Sequence, residues 1–377
     1  MPEQLRYQFN TNLHKNQDKN NLLSNNKIID FHRSLPSYIP SPLINMNRNP
    51  FTKIMHIKDE SKRFNIESFK GLGASYSMFS ILRNRLNKEL NIDLNYDDLW
   101  NESITNMPAI TFSAATDGNH GKAVAWFANL IKQTAVIYMP KNSIPARIET
   151  IQEEGAKVVL VDGTFDDCVR TCNNESKKRN YEIVSDTAYL GNLEQPMNII
   201  LGYTTLFKEL DSQTSQVYDY VLVPAGVGGI AAAAALYFHH YKKTSTKIIV
   251  IEPLSSNCIM ESLIANKAVE SHGSQDSIMA GLNCGFPSLK SWDILKNSVY
   301  LSVAIPDRYV YDAANYYQQY GILTGESGAA ALAGLLAIID YPTLNLNLKI
   351  SSSSVLLINT EGITNPEFYF SLKSKLE

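Results

Sequence analysis

Cysteine is scarce in this sequence, with four among 377 residues. Cys168 and Cys172 are separated by three residues, and no matching pair of Cys or His follows them. Such a set fits neither the disulfide framework of a small secreted domain nor a zinc site. An excess of one charge sign is also lacking, because the net charge is only −3. No global basic field is therefore available to hold nucleic acid or an anionic membrane.

Long apolar runs are absent as well. The two longest, Ala225–Phe238 and Gly328–Ile339, are shorter than the ~18–20 residues that a membrane-spanning helix needs. The amino-terminal stretch has neither the apolar core nor the cleavage signal of a secretory peptide. Residues 1–30 are rich in Asn and Lys, which predicts a loosely held arm. We therefore expect a cytoplasmic protein.

Strand and helix patterns alternate regularly in two series. The first series covers residues 109–186, and the second begins near Pro196. Strands that alternate with helices of about 10–15 residues indicate parallel βαβ units. The sequence therefore predicts an α/β fold with two open parallel-sheet domains, a large one of residues 1–75 plus 197–377 and a small one of residues 76–196. We expect a binding cleft where the carboxyl ends of the strands face each other.

Lys70 is the first candidate for chemistry. It lies in "ESFKGLGASYSMF" and is the only charged residue between Glu67 and Arg83. An amine in an apolar site loses hydration, which favours its neutral form and makes it a nucleophile toward an aldehyde. The alternative is an exposed lysine in the first turn of a helix. Taken alone, Lys70 leaves both interpretations open.

Two further motifs lie between a strand and a helix, where unpaired backbone N–H groups collect. In "SAATDGNHGKAVAW", Asp117 supplies a carboxylate and Asn119 can hydrogen-bond a ring hydroxyl. In "PAGVGGIAAA", the run Gly226–Gly229 with Val227 between the glycines permits close backbone approach to a phosphate. The second motif has the spacing of neither a P-loop nor a dinucleotide fingerprint. Either motif alone is also compatible with an ordinary strand-to-helix turn.

Two more turns follow toward the carboxyl terminus, "TGESGAAA" and "NTEGITNP". Thr360 in the second turn comes directly after the apolar run "VLLIN", so its hydroxyl is expected at the carboxyl end of a strand. Either turn alone could be a helix cap or a loop.

Together and in this order, the five motifs resemble pyridoxal-phosphate enzymes of fold type II, which share the fold of the tryptophan synthase β-subunit. The resemblance extends from about Tyr38 to Pro366. Within that group the sequence is most similar to the diaminopropionate ammonia-lyase family, through "KDESKRFNIESFKGLGASY", "ATDGNHGKAVAW", "SDTAY", "GESGAA" and "NTEGITNPE". Threonine dehydratases usually carry a small residue at the position of Asp117, so this carboxylate separates the two families.

The resemblance implies a role for each motif. Lys70 would bind the aldehyde of pyridoxal 5'-phosphate, and Asn119 would face the 3-hydroxyl of its ring. The loop Gly226, Val227, Gly228 and Gly229 would hold the phosphate. Thr360 would lie near the pyridine nitrogen.

The implied reaction is α,β-elimination of D- and L-2,3-diaminopropionate to pyruvate and two ammonia. Removal of the Cα proton from both stereoisomers requires a base on each face, for which the resemblance implies Lys70 and Asp117. Asp186, in "VSDTAY", would pair with the distal amine of the substrate. The resemblance also implies a homodimer that takes a small amino acid as its substrate.

Two alternatives stay open at the level of sequence. One keeps the cofactor but changes the reaction, as in a serine or threonine dehydratase or a β-replacement synthase. The other is a catalytically silent cofactor-binding or regulatory protein. Retention of Lys70, Asp117 and Asp186 argues against the silent protein, because each of these side chains has a place in the elimination.

Overall fold

The secondary structure comes from a computed structural model that describes residues 4–13, 26–46, 48–100, 109–116, 118–188 and 192–368. Its strands are β1 Arg6–Phe9, β2 Leu43–Asn45, β3 Ile54–Asp59, β4 Thr111–Ala115, β5 Thr134–Pro140, β6 Lys157–Val161, β7 Glu182–Ile183, β8 Tyr220–Pro224, β9 Lys247–Pro253, β10 Val299–Ile305 and β11 Ser354–Asn359. Its α-helices are α1 Lys27–Ser34, α2 Lys70–Leu90, α3 Asn119–Leu130, α4 Pro145–Glu153, α5 Phe165–Arg179, α6 Glu194–Lys208, α7 Leu210–Gln213, α8 Gly229–Ala235, α9 Cys258–Ala265, α10 Leu289–Leu295, α11 Arg308–Gln319, α12 Ala330–Ile339 and α13 Pro342–Leu348. A short π-helix, Leu236–Tyr241, continues α8.

A seven-stranded sheet has the order β1-β10-β9-β8-β11-β3-β2. Its five central strands are parallel, whereas the edge strands β1 and β2 run antiparallel to their neighbours. Every residue of β8 and β11 is buried. Apolar runs such as "VLLI" suit strands that are covered on both faces, as the centre of a parallel sheet requires.

A second sheet has four strands in the order β6-β5-β4-β7, and all its pairs are parallel. Helices α3, α4 and α5 alternate with these strands along the chain. The α/β class and the parallel sheets predicted from the sequence are confirmed. The prediction that residues 1–30 form a loosely held arm is wrong at Arg6–Phe9. These residues form the edge strand β1, which pairs antiparallel with β10. Lys27–Ser34, which begins within that arm, is helical.

The chain divides into two compact units. The first contains the described residues of 1–25, 40–62 and 206–377, and the second contains residues 26–39 and those of 63–205. The predicted domain division at residues 75 and 197 stays a prediction, and the compact units differ from it. Helix α2 is one reason, because it runs without a break from Lys70 to Leu90 and cannot be divided at residue 75.

Helix α12 fills the core of the first unit. Its sequence, "AALAGLLAII", is apolar all round, and eight of its residues are buried, as expected for a helix surrounded by core. No single helix in the described parts of the chain is long and apolar enough to cross a membrane. Helix α12 meets that test only together with Pro342–Ser352, and the pair is bent by 103°.

A buried charge network also lies in the first unit. The Lys58 side chain is fully buried, and its Nζ donates to Glu209 Oε2 at 2.6 Å and to the Ser41 carbonyl oxygen at 2.7 Å. The Gln213 side chain accepts a third hydrogen bond at 2.9 Å. A buried ammonium needs partners of this kind to offset its lost hydration.

In the second unit, helices α2 and α6 approach each other at two glycines. A Cβ on Gly73 would lie 2.4 Å from the Tyr203 ring and 2.8 Å from Ile199 Cγ2. A Cβ on Gly202 would lie 2.4 Å from the carbonyl oxygen of Leu72. Because Leu72 belongs to the first turn of α2, this contact fixes the end of the helix that carries Lys70.

We expect the Gly202→Ala substitution to lower the free energy of unfolding by ~1–3 kcal/mol, the usual cost of overpacking. The added methyl group meets backbone, which cannot move aside as the end of a flexible side chain can. Equilibrium unfolding in urea measures the loss.

Asn87→Ala is the matched control, since Asn87 is exposed on the same helix α2. We expect this variant to stay within ~0.5 kcal/mol of the parent protein. Equal stabilities for the two variants would mean that α6 does not constrain α2 at Gly202.

Candidate active site

Lys70 begins helix α2 and forms an ion pair. Its Nζ lies 2.8 Å from Asp186 Oδ2, and the two side chains are 19% and 22% exposed. Just before the helix, the Ser68 hydroxyl accepts a hydrogen bond from the Lys70 backbone N–H. The structure therefore places Lys70 in a partly buried pair, which differs from the exposed first-turn lysine of the alternative interpretation.

Aromatic rings border this ion pair. The Lys70 Nζ lies 5.4 Å from the centre of the Phe69 ring and 6.0 Å from that of Tyr203. The Tyr203 side chain is buried, and burial raises the pKa of its phenol. An ammonium beside ring faces gains a favourable electrostatic contact while it loses water. The surroundings of Lys70 are therefore apolar, as the motif predicts.

Asp186 is the acidic half of the pair. Burial alone would raise the pKa of its carboxyl group, but the charge of Lys70 and the hydrogen bonds from Lys70 and Thr187 outweigh that effect. The pKa of Asp186 is consequently held below its usual range, so the carboxylate is ionised at neutral pH. Lys70 and Asp186 are 116 positions apart in the sequence, and the fold brings them into contact.

His120 is a site residue that sequence reasoning assigned no role. It is buried near Asp186, and its Nε2 lies 2.8 Å from the Val184 carbonyl oxygen. Burial lowers the pKa of His120, and its Nδ1 is buried with no hydrogen-bond partner among the described residues. The Nε2 therefore carries the proton of a neutral ring, and Nδ1 is an open acceptor. The "GNHG" motif gave the only signal for this residue.

The turn before helix α3 holds Asn119 and is shaped by Thr116. The Thr116 hydroxyl accepts hydrogen bonds from the backbone N–H groups of Gly118 at 3.0 Å and Gly121 at 3.2 Å. Asn119 is the first residue of α3 and is half-buried. Asp117 lies outside the described residues. Helix α3 packs on α2, so both predicted side chains, Lys70 and Asn119, begin helices that are in contact.

The glycine-rich turn lies in the first unit, between β8 and α8. Gly228 has a φ of +90°, a left-handed conformation that disfavours residues with a Cβ. A Cβ on Gly226 would lie 2.8 Å from Cys284 Sγ, and one on Gly228 would lie 2.7 Å from Leu295. The first N–H groups of helix α8, which begins at Gly229, have no intrahelical partners and suit a phosphate. Val227 completes the turn.

Thr360 follows β11, the parallel neighbour of β8. The glycine turn and Thr360 therefore share the carboxyl-terminal edge of one sheet. Thr360 is buried, and the preceding Asn359 donates to Asp59 Oδ1 at 2.8 Å and accepts from the Thr324 hydroxyl at 2.8 Å. The two carboxyl-terminal motifs meet here, because Glu361 also accepts the Ser327 N–H at 3.1 Å.

These residues have the chemistry that pyridoxal phosphate needs. The second unit supplies a partly desolvated amine for the aldehyde and a half-buried amide for the ring hydroxyl. The first unit supplies a glycine turn that leaves no room for side chains and a buried hydroxyl at the same sheet edge. His120 Nδ1, which has no hydrogen-bond partner within the described parts of the chain, is a further acceptor. The residues of each unit, taken by themselves, therefore fit one part of the cofactor.

Comparisons with known proteins show the family of the chain. The profile of a family described as pyridoxal-phosphate dependent enzymes matches residues 35–361. The diaminopropionate ammonia-lyase of Salmonella typhimurium is 33% identical to this chain, over 98% of each sequence.

Solved structures give the same result. Holo diaminopropionate ammonia lyase from Escherichia coli has a TM-score of 0.89 and 31% sequence identity, covering 99% of this chain and 97% of that one. The Escherichia coli enzyme in complex with an aminoacrylate–PLP azomethine reaction intermediate has a TM-score of 0.88 and 29% identity, covering 99% and 98%. The family resemblance and fold type II are thereby confirmed. This chain belongs to the pyridoxal-phosphate-dependent enzyme family, and within it to the group of the diaminopropionate ammonia-lyases.

Proposed function

We propose that this protein is a pyridoxal-phosphate-dependent carbon–nitrogen lyase that converts D- and L-2,3-diaminopropionate to pyruvate and two ammonia. The observation that carries the proposal is the Lys70–Asp186 pair, an amine and an ionised carboxylate 2.8 Å apart beside aromatic rings. The pair supplies both a group that can bind an aldehyde and a group that can recognise a second ammonium.

Four sets of residues would hold the cofactor. Lys70 would bind the aldehyde carbon, Asn119 would hydrogen-bond the ring hydroxyl, residues 226–229 would hold the phosphate and Thr360 would lie near the ring nitrogen. Bound pyridoxal phosphate supplies an electron sink that makes the substrate Cα–H bond acidic. A neutral hydroxyl such as that of Thr360 leaves the ring less electron-withdrawing than a carboxylate partner would.

Two bases, Lys70 and Asp117, remove the proton from Cα of the substrate. Once its amine is free, Lys70 takes the proton from one face of the substrate. Asp117 serves the opposite face, which makes both stereoisomers substrates. The β-ammonium group then leaves as ammonia with the electron pair of its C–N bond, while the electron pair left at Cα forms the Cα–Cβ double bond. Free 2-aminoacrylate tautomerises and reacts with water to give pyruvate and the second ammonia.

Asp186 selects the substrate by charge. The β-ammonium of diaminopropionate offers N–H donors like those of Lys70, which already donates to Asp186 at 2.8 Å. Such charge-assisted hydrogen bonds are about twice as strong as neutral ones. Serine and threonine carry a hydroxyl at Cβ and gain less from this carboxylate. The hydrogen bond from His120 to Val184 anchors the segment that carries Asp186.

We also propose a cytoplasmic homodimer. The dimer is an expectation from the family.

We expect the purified, cofactor-loaded protein to release pyruvate from both stereoisomers of diaminopropionate, with little turnover of threonine or O-acetylserine. A coupled pyruvate assay across this panel, with parallel measurement of ammonia, tests the proposal. Lys70→Ala should abolish both the activity and the visible absorbance that arises when Lys70 binds the cofactor aldehyde, because the variant lacks this amine.

Lys88→Ala is the matched control, since Lys88 is an exposed lysine in the last turn of the same helix. This variant should keep the spectrum and the rate of the parent protein. Normal turnover by Lys70→Ala would remove Lys70 from its role, and preferential turnover of threonine would replace the proposed substrate.

We expect Asp186→Asn to lower kcat/KM for diaminopropionate by about tenfold or more, because a charge-assisted hydrogen bond contributes ~1.5–3 kcal/mol. The residual elimination of serine should change much less, since serine has no β-ammonium. Steady-state kinetics on both substrates measure the ratio. An equal loss for the two would show that Asp186 acts in the chemistry without selecting the substrate.

We expect Asp117→Asn to reduce the rate with D-diaminopropionate far more than the rate with the L-isomer. The reason is that the amide cannot accept the Cα proton, whereas Lys70 still serves its own face. Separate kcat values for the two pure isomers measure the effect. Equal losses would mean that Asp117 is not a base specific to one face.

A further inference from the structure

Glu252 is a fully buried carboxylate at the carboxyl end of β9. Its Oε1 accepts the backbone N–H of Ile259 at 2.7 Å, and its Oε2 accepts that of Met260 at 3.0 Å. The Ser302 hydroxyl on the neighbouring strand β10 donates to Oε2 at 2.6 Å. The side chain therefore joins two strands to the start of helix α9.

These hydrogen bonds cap the helix from a distance. The side chain of the N-cap residue of α9, Asn257, accepts no backbone N–H of the first turn. Orphan N–H groups of a first helical turn need an acceptor. Glu252 supplies it from outside the helix, and so fixes where the turn Cys258–Met260 lies relative to the sheet.

The first turn of α9 packs against the glycine-rich loop Gly226–Gly229. The Cys258 thiol donates to the Gly226 carbonyl oxygen at 3.5 Å. On the same turn, Ile259 Cδ1 lies 3.2 Å from the place where a Cβ on Gly228 would be. A shift of the turn would therefore move the loop or open a gap beside it, since close-packed interiors transmit such strain.

We propose that Glu252 is a positioning residue for the cofactor phosphate, acting through helix α9 on the loop Gly226–Gly229. The inference rests on the proposed function, in which this loop holds the phosphate. Glu252 itself touches no ligand. Its carboxylate sets the backbone geometry that lets the loop amides converge on an anion.

The inference is tested by comparing two cofactor probes. Pyridoxal 5'-phosphate binds through the aldehyde and the phosphate, whereas pyridoxal lacks the phosphate. In Glu252→Gln, the amide keeps the size of the side chain, but its NH₂ group faces donors that need an acceptor. We expect about tenfold weaker binding of pyridoxal phosphate to the apoprotein and a change within about twofold for pyridoxal.

Both dissociation constants are measured by absorbance titration of the full-length apoprotein at about pH 8. Burial raises the pKa of Glu252 to about 7, so the carboxylate of the parent protein is ionised at that pH. Thermal unfolding of each apoprotein reports stability separately. A variant that is merely less stable would weaken the two probes alike.

Asp219→Asn is the matched control. The Asp219 carboxylate also accepts a backbone N–H and a serine hydroxyl, both from Ser354 at 2.7 Å. It precedes β8, at the opposite end of that strand from the glycine loop. This variant should keep the ratio of the two dissociation constants found in the parent protein.

The outcomes are distinct. Selective loss of pyridoxal phosphate in Glu252→Gln supports the inference, and equal effects on the two probes overturn it. If Glu252→Gln does not fold, Ser302→Ala replaces it, with an expected selective loss of about threefold; an unchanged ratio in that variant overturns the inference. A parent protein that does not bind pyridoxal phosphate would instead contradict the proposed function.

Discussion

The ion pair between Lys70 and Asp186 is the interaction on which the proposed chemistry depends. An amine that attacks an aldehyde must lose water, yet an ammonium without a partner would be too costly in such a place. The carboxylate supplies that partner, and in the proposed function the same oxygen atoms receive an ammonium from the substrate. In this proposal one contact of 2.8 Å links stability, reactivity and selection.

The pair depends in turn on how helix α2 is held. Its first turn is pressed against helix α6 at Gly202, and its N-terminal end follows a turn with left-handed residues at Phe64, Asn65 and Glu67. None of these residues bears a functional group of the reaction. The close approach of the two helices at Gly73 and Gly202 holds the first turn of α2 in place, which accounts for the small residues that follow Lys70.

Sequence patterns predicted the α/β class, the strand-to-helix turns and the candidate residues, because periodicity and glycine turns are local signals. Contacts between segments that are far apart in the sequence leave no local signal, so the patterns could not predict them. The pairing of Lys70 with Asp186 and the hydrogen bond of His120 to Val184 belong to this class. Lys58 shows the limit clearly: it is more deeply buried than Lys70, but its partner Glu209 lies 151 positions away. The prediction of a loose arm failed at Arg6–Phe9, because the polar composition around these residues gives no signal for a short edge strand.

The register of the large sheet has a consequence for the synthesis of the protein. Strand β11 is hydrogen-bonded between β3 and β8, and Ile54 of β3 pairs with Ser354 of β11. An interior strand of this sheet is therefore the last of its strands to leave the ribosome. The described residues of 26–39 and 63–205 form a compact unit that contains no strand of this sheet, so this unit can fold early while the other waits for β11. Until then β3 and β8 lack the neighbour they share, and their unpaired edges are open to wrong strand pairing.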